Sequence, residues 1–478
     1  MGRIMLEENA QKKMQVKNHV NEKMEAIVAL AKRRGFIYQG SEIYGGLAGT
    51  WDYGPFGVAL KNNITNMWWK MFVDDREDMY GIDAAILMNP RAWVASGHVG
   101  GFADPLVEDL KTKKRYRADH LLEEAEIDTK GMTLVQMNDA IQKLGIRSPD
   151  KNPLGEVRQF NMMFATNIGA TEHDASEIYL RPETAGGMFV NYKNILDSFH
   201  PKLPFGLAQI GKAFRNEIAP RDFIFRVREL EQMEIEYFIR PTDWEVQFEQ
   251  WRTQIWRFIE AIGLDKEKVH ELEIAVADRA HYSKRTIDLE YDFPFGRKEL
   301  YGLAYRGDFD LKSHQDGSKV NLEYFDEETK EKFLPHVIEP SFGLGRTMLA
   351  ILSEAYTEDE MAGEKRVYLK FKPRMAPVIV AVFPLLKNKP ELVAKAREVY
   401  VVLKGEFGRV MFDDNGNVGK RYRRQDEIGT PWCVTIDFDT LGENTELLDT
   451  VTVRNRDNGT QVRIAISDLK NHIKSVIK

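Results

Sequence analysis

Apolar side chains at Val20, Met24, Ile27, Val28 and Ala31 fall at i, i+4, i+7, i+8 and i+11, with Lys and Glu between them. That spacing predicts a helix over residues 5–35, with Gly35 as its stop. The run GSEIYGGLAGTWDYGPFG (40–57) is rich in glycine and predicts tight turns instead. Helical spacing returns in KNNITNMWWKMF (61–72). Residues 204–240 alternate like strands around a polar middle: PFGLAQIGKAF, then NEIAPRD, then FIFRVRELEQMEIEYFI, a hairpin with an elaborate loop. Over 243–262, Trp244, Phe248, Trp251, Trp256 and Phe258 mark the packing face of an amphipathic helix. The charged stretch 104–155 reads as an insertion on the surface of a core, and about 241–290 as another.

The pattern shifts near 365–375, KRVYLKFKPRMAP, dividing the chain into 1–370 and 371–478. Beyond it, APVIVAVFPL predicts a buried strand, and Pro390 opens a helix running to about Gly405. RVMFDD and WCVTIDFD are further strands. TVTVRNRDNGTQVRIAI is a hairpin turning at Asn458-Gly459, and Ser467 caps a last helix. Strands alternating with helices predict a small α/β unit with a mixed sheet.

Composition adds limits. Hydrophobic residues are 43% of the 478, with 35 Gly, enough for full cores. The net charge of −7 excludes a uniformly basic nucleic-acid coat. Divided at 371 it reads differently: the C-terminal unit has 18 Lys+Arg and 14 Asp+Glu (+4), and the rest 49 and 60 (−11). The single cysteine, Cys433, rules out an internal disulfide and any zinc site needing two thiolates, and suits a reducing compartment. No apolar run approaches the ~18 residues of a spanning helix, and MGRIMLEENAQKK has no secretory apolar region. The expectation is a cytoplasmic protein without a membrane partner.

Common phosphate, dinucleotide and zinc motifs are absent. His98, in SGHVGG, is a lone loop histidine and reads as structural. The informative segment is 211–234. It interleaves Lys212, Arg215, Arg221, Arg226 and Arg228 with Glu217, Asp222, Glu229, Glu231 and Glu234, and sets Phe214, Phe223, Phe225 and Met233 among them. On a half-buried hairpin so many charges need partners or a ligand. Arginines beside carboxylates and rings suit a ligand with a phosphate, a positive group and a flat base. A further carboxylate, Glu183, lies in RPETAGG. Another, Glu339, lies in HVIEPSFGLGRTMLAIL, where a Gly-x-Gly turn opens an apolar helix with Arg346 in its first turns.

Together these segments resemble a known family. Arg215-Asn216-Glu217 in its strand–loop–strand setting resembles motif 2 of class II aminoacyl-tRNA synthetases, and EPSFGLGR resembles motif 3. GSEIYGGLAGTWDYGP, the RPETA segment and GKRYRRQDEIGTPWCV are similar to the dimeric type of glycyl-tRNA synthetase, over nearly the whole chain from about residue 26. The resemblance implies an α+β catalytic domain, an antiparallel sheet flanked by helices, followed by an anticodon-binding domain. It implies ATP-dependent attachment of glycine to tRNA(Gly) by a homodimer, with residues near 58–90 as motif 1.

Carried over by that resemblance, Arg215, Glu217 and Arg346 would be catalytic, with Arg215 on the α-phosphate. ATP would be held by these and by Asn216, Phe225, Arg226, Arg228, Leu230, Glu299, Leu300, Gly343 and Gly345, with Mg2+ reaching Glu299 through ATP. Glycine would be read by Arg117, Glu183, Glu231, Gln232, Glu234, Arg306, Glu339 and Ser341. Glycine offers only its ammonium and carboxylate, so several carboxylates at close range and a closed wall would suffice, without editing. Lys420, Arg421, Arg423 and Arg424 would meet tRNA.

Four features depart from the family. Residue 186 is Gly where Gln is usual, residue 230 is Leu where an aromatic stacks on adenine, and Tyr305 and Gly307 replace the Asn and Thr of ANRTD. Many bacterial relatives also carry a cysteine pair before RYRAD, where this chain reads VEDLKTKK. The departures motivate a second reading, a non-catalytic synthetase-like nucleic-acid-binding or polymerase accessory protein on the same scaffold.

Overall fold

The computed structural model describes residues 22–129, 131–169, 176–280, 282–361 and 363–477. The first predicted helix is present over residues 22–33, with Ile27, Leu30 and Ala31 buried. Its earlier part, including Val20, lies outside the described residues.

Seven strands form the main sheet: β1 (Met79–Gly81), β2 (Phe205–Phe214), β3 (Glu229–Ile239), β4 (Val269–Glu273), β5 (Arg285–Phe293), β6 (Gly296–Gly307) and β7 (His336–Gly343). Their order is β4-β5-β6-β7-β3-β2-β1, antiparallel throughout except for the parallel β1–β2 pair. Side chains alternate between faces. On β3, Met233, Ile235, Tyr237 and Ile239 join the large core under α1 (Pro55–Trp69) and α3 (Trp244–Ile262). Glu234, Glu236 and Phe238 point the other way, where α2 (Ala185–Phe199) and α4 (Phe309–Ser318) cover one end of the sheet. The uncovered remainder of that face is the site.

Two expectations change here. Residues 241–290 are not an insertion. Helix α3 sinks Phe248, Trp251, Ile255 and Phe258 into the main core, and β4 and the start of β5 are strands of the sheet. The second strand of the hairpin also begins at Glu229 rather than near Phe223. Asp222 and Phe223 adopt left-handed φ of 60° and 59°, which reverses the chain and tucks Phe223, Ile224 and Phe225 into the core.

Residues 103–161 form a lobe with its own three-stranded sheet (Arg115–Arg117, Ala103–Glu108, Arg158–Asn161) and its own small core of Val107, Leu121, Leu122, Met137 and Ile141. Buried Asp109 accepts hydrogen bonds from the Lys111 and Thr112 amides, Ser148 Oγ and Asn152 Nδ2. Those four donors hold its carboxyl far below the usual range although burial opposes ionisation.

The C-terminal unit has strands β8 (Val380–Pro384), β9 (Val410–Phe412), β10 (Trp432–Ile436), β11 (Thr450–Asn455) and β12 (Gln461–Ala465), in order β9-β8-β10-β11-β12. The first two pairings are parallel and the rest antiparallel, a mixed sheet. It packs on α6 (Pro390–Phe407) and α8 (Ile466–Ile477), and α8 opens one residue before Ser467. Helix α7 (Val418–Glu427) bolts this unit to the rest. Its buried Asp426 accepts from Arg366 at 3.1 Å and from Arg454 at 2.8 and 3.0 Å.

Candidate active site

Two cavities open on the uncovered face of the sheet and share Arg215, Gln232, Glu299 and Ser341 in their walls. The first, a cleft of about 320 Å³, runs between the loop after β2 and the start of α5 (Leu344–Ala355). Glu217, Phe225, Arg226, Leu230, Leu300, Gly343, Gly345 and Arg346 line it. Arg346 lies 4.6 Å over the Phe225 ring and 2.9 Å from a Glu299 oxygen, and this guanidinium holds the Glu299 carboxyl below its usual range. Gly345 has to be small. A Cβ there would sit 2.7 Å from the Ile224 carbonyl, so the helix start presses on the loop backbone.

Asn216 and Arg228 are placed differently from expectation. Neither lines the cleft. The Asn216 backbone N–H donates to the Met162 carbonyl, and the Arg228 guanidinium donates to the carbonyls of Ala48 and Glu217. Arg228 therefore clamps the loop against the glycine-rich stretch 40–57. Trp51 and Tyr53 of that stretch line the cleft, a contribution that its turn-like sequence did not reveal.

The second cavity, about 330 Å³, is acidic. Glu183, Glu234, Glu339 and Ser341 line it, with Arg306 buried at its base. Glu234 accepts from Thr184 Oγ1 at 2.5 Å and Ser341 Oγ at 2.8 Å. Arg306 grips Asp310 with two hydrogen bonds of 2.7 and 2.8 Å and Glu339 with a third of 2.8 Å, beneath the Tyr282 ring. Burial opposes ionisation of Glu183, but His98, Arg306 and Arg215 overcome it and hold the carboxyl at about 2. His98 Nε2 is 3.4 Å from that carboxylate, and its Nδ1 meets Ser96 Oγ at 2.8 Å. The lone loop histidine thus belongs to the pocket. Thr184, Tyr282 and Asp310 were also missed, because nothing local in sequence marks them.

Two residues expected at this pocket lie elsewhere. Arg117 lines the first cleft, paired with Asp104 and Asp119. Glu231 borders the first cleft too, but alternation on β3 turns its carboxylate to the opposite face from Glu234, 2.5 Å from Lys61 Nζ of α1. In the wall of the second cavity, Asp288 is raised to about 7 by burial and then by Glu299 and Glu290. Hard carboxylate oxygens in that state fit a divalent cation.

The departures prove mostly peripheral. Tyr305 points away from the pocket and stacks on Trp244 at 4.6 Å. Gly307 sits at φ +66°, a conformation that a β-branched residue avoids. Gly186 packs against the Trp93 ring. Leu230 alone faces the cleft.

In the C-terminal unit Arg421 is not available to RNA. It is 1% exposed, and its guanidinium donates to the carbonyls of Pro384, Asp414 and Gly416. Arg424 is tied to Asp413 by two hydrogen bonds of 2.8 and 2.9 Å. Lys420 and Arg423 are exposed.

Comparison with known proteins agrees with this geometry. Residues 167–355 match the tRNA synthetase class II core domain (G, H, P, S and T), and 379–476 match the Anticodon binding domain. The glycine–tRNA ligase of Clostridium tetani is 50% identical over 470 residues, covering 96% of this chain and 99% of its own. Those of Clostridium acetobutylicum (48%) and Deinococcus radiodurans (46%) each cover 95% of this chain and 99% of their own. The chain belongs to the glycine–tRNA ligase family. The non-catalytic reading finds no support, and the arginines and carboxylates of the class II site all stand at the two cavities. Among the described residues no helix is long and apolar enough to cross a membrane.

Proposed function

We propose that this glycine–tRNA ligase family member binds ATP in the arginine-lined cleft and glycine in the acidic pocket, forms glycyl-adenylate, and passes the glycyl group to tRNA(Gly). The observation that carries the residue roles is the shared wall. Arg215 borders both cavities, with Gln232 and Ser341 beside it. An ammonium held among Glu183, Glu234 and Glu339 leaves the substrate carboxylate toward that wall, facing a phosphate on Arg215. The carboxylate attacks the α-phosphorus, pyrophosphate leaves, and the terminal adenosine hydroxyl of the tRNA then displaces AMP. No protein nucleophile is needed; positioning and charge do the work. Arg215 and Arg346 supply positive charge, and Phe225 and Leu230 cover the base. Mg2+ held by Glu299 and Asp288 would neutralise phosphate charge.

Of the four cations expected to meet tRNA, Lys420 and Arg423 on α7 are the exposed ones, with Arg423 paired to the exposed Glu364. We place the enzyme in the cytoplasm, which suits its single buried thiol, and as a homodimer. Strand β1 supports the dimer, since it ends the sheet with one side unpaired. The experiment is ATP–pyrophosphate exchange with each amino acid in turn. Glycine alone should support it, and folded protein without glycine-dependent exchange would refute the reading.

A further inference from the structure

Behind the wall of the acidic pocket lies one carboxyl that no hydrogen-bond partner accounts for. On β3, Glu234 and Glu236 share a face. The register that sets Glu234 against Ser341 and Tyr237 against Ile338 puts Glu236 directly across from Glu339. Oxygens of Glu234, Glu236 and Glu339 all lie within 4.8 Å of one another, and Glu236 is wholly buried. Like charges directly opposite on neighbouring strands repel. The donors nearby are committed: Arg306 to Asp310 and Glu339, Thr184 and Ser341 to Glu234, and His98 to Glu183. Among the described residues none reaches either oxygen of Glu236. A buried carboxylate with neither donor nor counter-charge is strongly disfavoured against the neutral acid.

We propose that Glu236 is a positioning residue of the glycine pocket, held as a neutral carboxylic acid whose proton is offered to Glu339 and keeps that carboxylate turned toward the substrate ammonium. This rests on the glycine reading of the pocket. The surroundings act in one direction: burial first, then Glu339, with Glu234 and Asp310 adding to it, while Arg306 alone opposes. Burial, opposed by Arg306 and reinforced by Glu234 and Glu183, also raises Glu339, to about 8. His98, Tyr282, Arg215, Asp278, Arg279, Asp288 and Glu299 are the other titratable groups around the pocket. The proton removes one negative charge from the cluster without removing a wall. The pocket stays small enough to reject larger amino acids, and the proton on Glu236 together with an incoming ammonium favours the charged form of Glu339.

Glycine-dependent exchange in Glu236→Met, Glu236→Gln and Glu234→Gln, with melting temperatures alongside, tests this. Glu236→Met should raise the glycine KM on the order of tenfold, with kcat and the KM for ATP within about twofold of wild type. Glu236→Gln keeps a donor and should recover most of that loss. An infrared difference spectrum between wild type and Glu236→Gln should contain the band of a protonated carboxyl. Four results would overturn the proposal: Gln at 236 as damaging as Gln at 234, an unchanged glycine KM in Glu236→Met, no carboxyl band, or a stoichiometric metal ion lost in Glu236→Gln. Should Glu236→Met not fold, the spectrum and the Gln variant decide. If Glu234→Gln leaves the glycine KM unmoved, the pocket assignment fails, while the infrared band still reports on Glu236 by itself.

Discussion

His98 shows how residue-scale chemistry escapes a linear reading. In SGHVGG it has no neighbour of interest, and its partner Glu183 comes 85 positions later (183 − 98). The pair has a signed consequence. Glu183 falls from an ordinary 4.5 to about 2 in the fold, so its contribution to stability is complete above 4.5 and is lost as pH drops toward 2. Without His98, burial would dominate and the carboxyl would rise. His98→Gln should therefore raise the glycine KM several-fold over wild type at the same pH, by a factor that grows from mildly alkaline to mildly acidic solution. Steady-state exchange across pH checks this, and an unchanged pH profile would remove His98 from the pocket. The carboxylates of the pocket were legible because each sat in a distinctive string. Thr184, Tyr282 and Asp310 were not, since hydroxyls and a helical aspartate look alike everywhere.

At the scale of elements, alternation and helical spacing read correctly wherever an element was long. The hairpin β2–β3 and helices α3 and α6 stand close to where their patterns placed them. The pattern misled where backbone geometry overrode it. FIFRV looks like a strand, yet the left-handed pair Asp222-Phe223 folds it into a turn that packs on α5. That contact yields a prediction. Gly345→Ala puts a methyl group against a carbonyl that cannot retreat without moving the loop. The variant should melt earlier, by about 1–3 kcal/mol in stability, and should raise the KM for ATP more than that for glycine. Equal effects on both substrates would mean that the loop is not what the helix start positions. The 241–290 region was misread for a related reason. Its charged exterior hides the fact that α3 is buried along one face and that β4 and β5 extend the sheet.

For the whole molecule, the charge division of +4 and −11 has to be re-read from the buried residues. Arg421, Arg454 and Arg456 are interior, so part of the C-terminal excess holds the unit together and never meets solvent. No sequence pattern separates Arg421 from Arg423; only the helical turn between them decides which faces inward. Lys420→Glu with Arg423→Glu should weaken tRNA binding and flatten its salt dependence by roughly 0.7–0.9 per lost phosphate contact, measured by filter binding over a salt series. Arg421→Ala should instead unfold the C-terminal unit, seen as an early melting step. If the double reversal leaves binding intact, RNA approaches another face. The lobe at 103–161 has a different implication. Its first and last strands lie side by side, Ala103 paired with Asn161 and Leu106 with Arg158, so the chain leaves the body and returns at one place. Such a lobe is a graft: it can be lengthened, shortened or exchanged between proteins as a unit, because the host supplies only two strand ends about 4.8 Å apart. One tie restricting that freedom is Arg117, which reaches back from the graft to line the arginine-lined cleft.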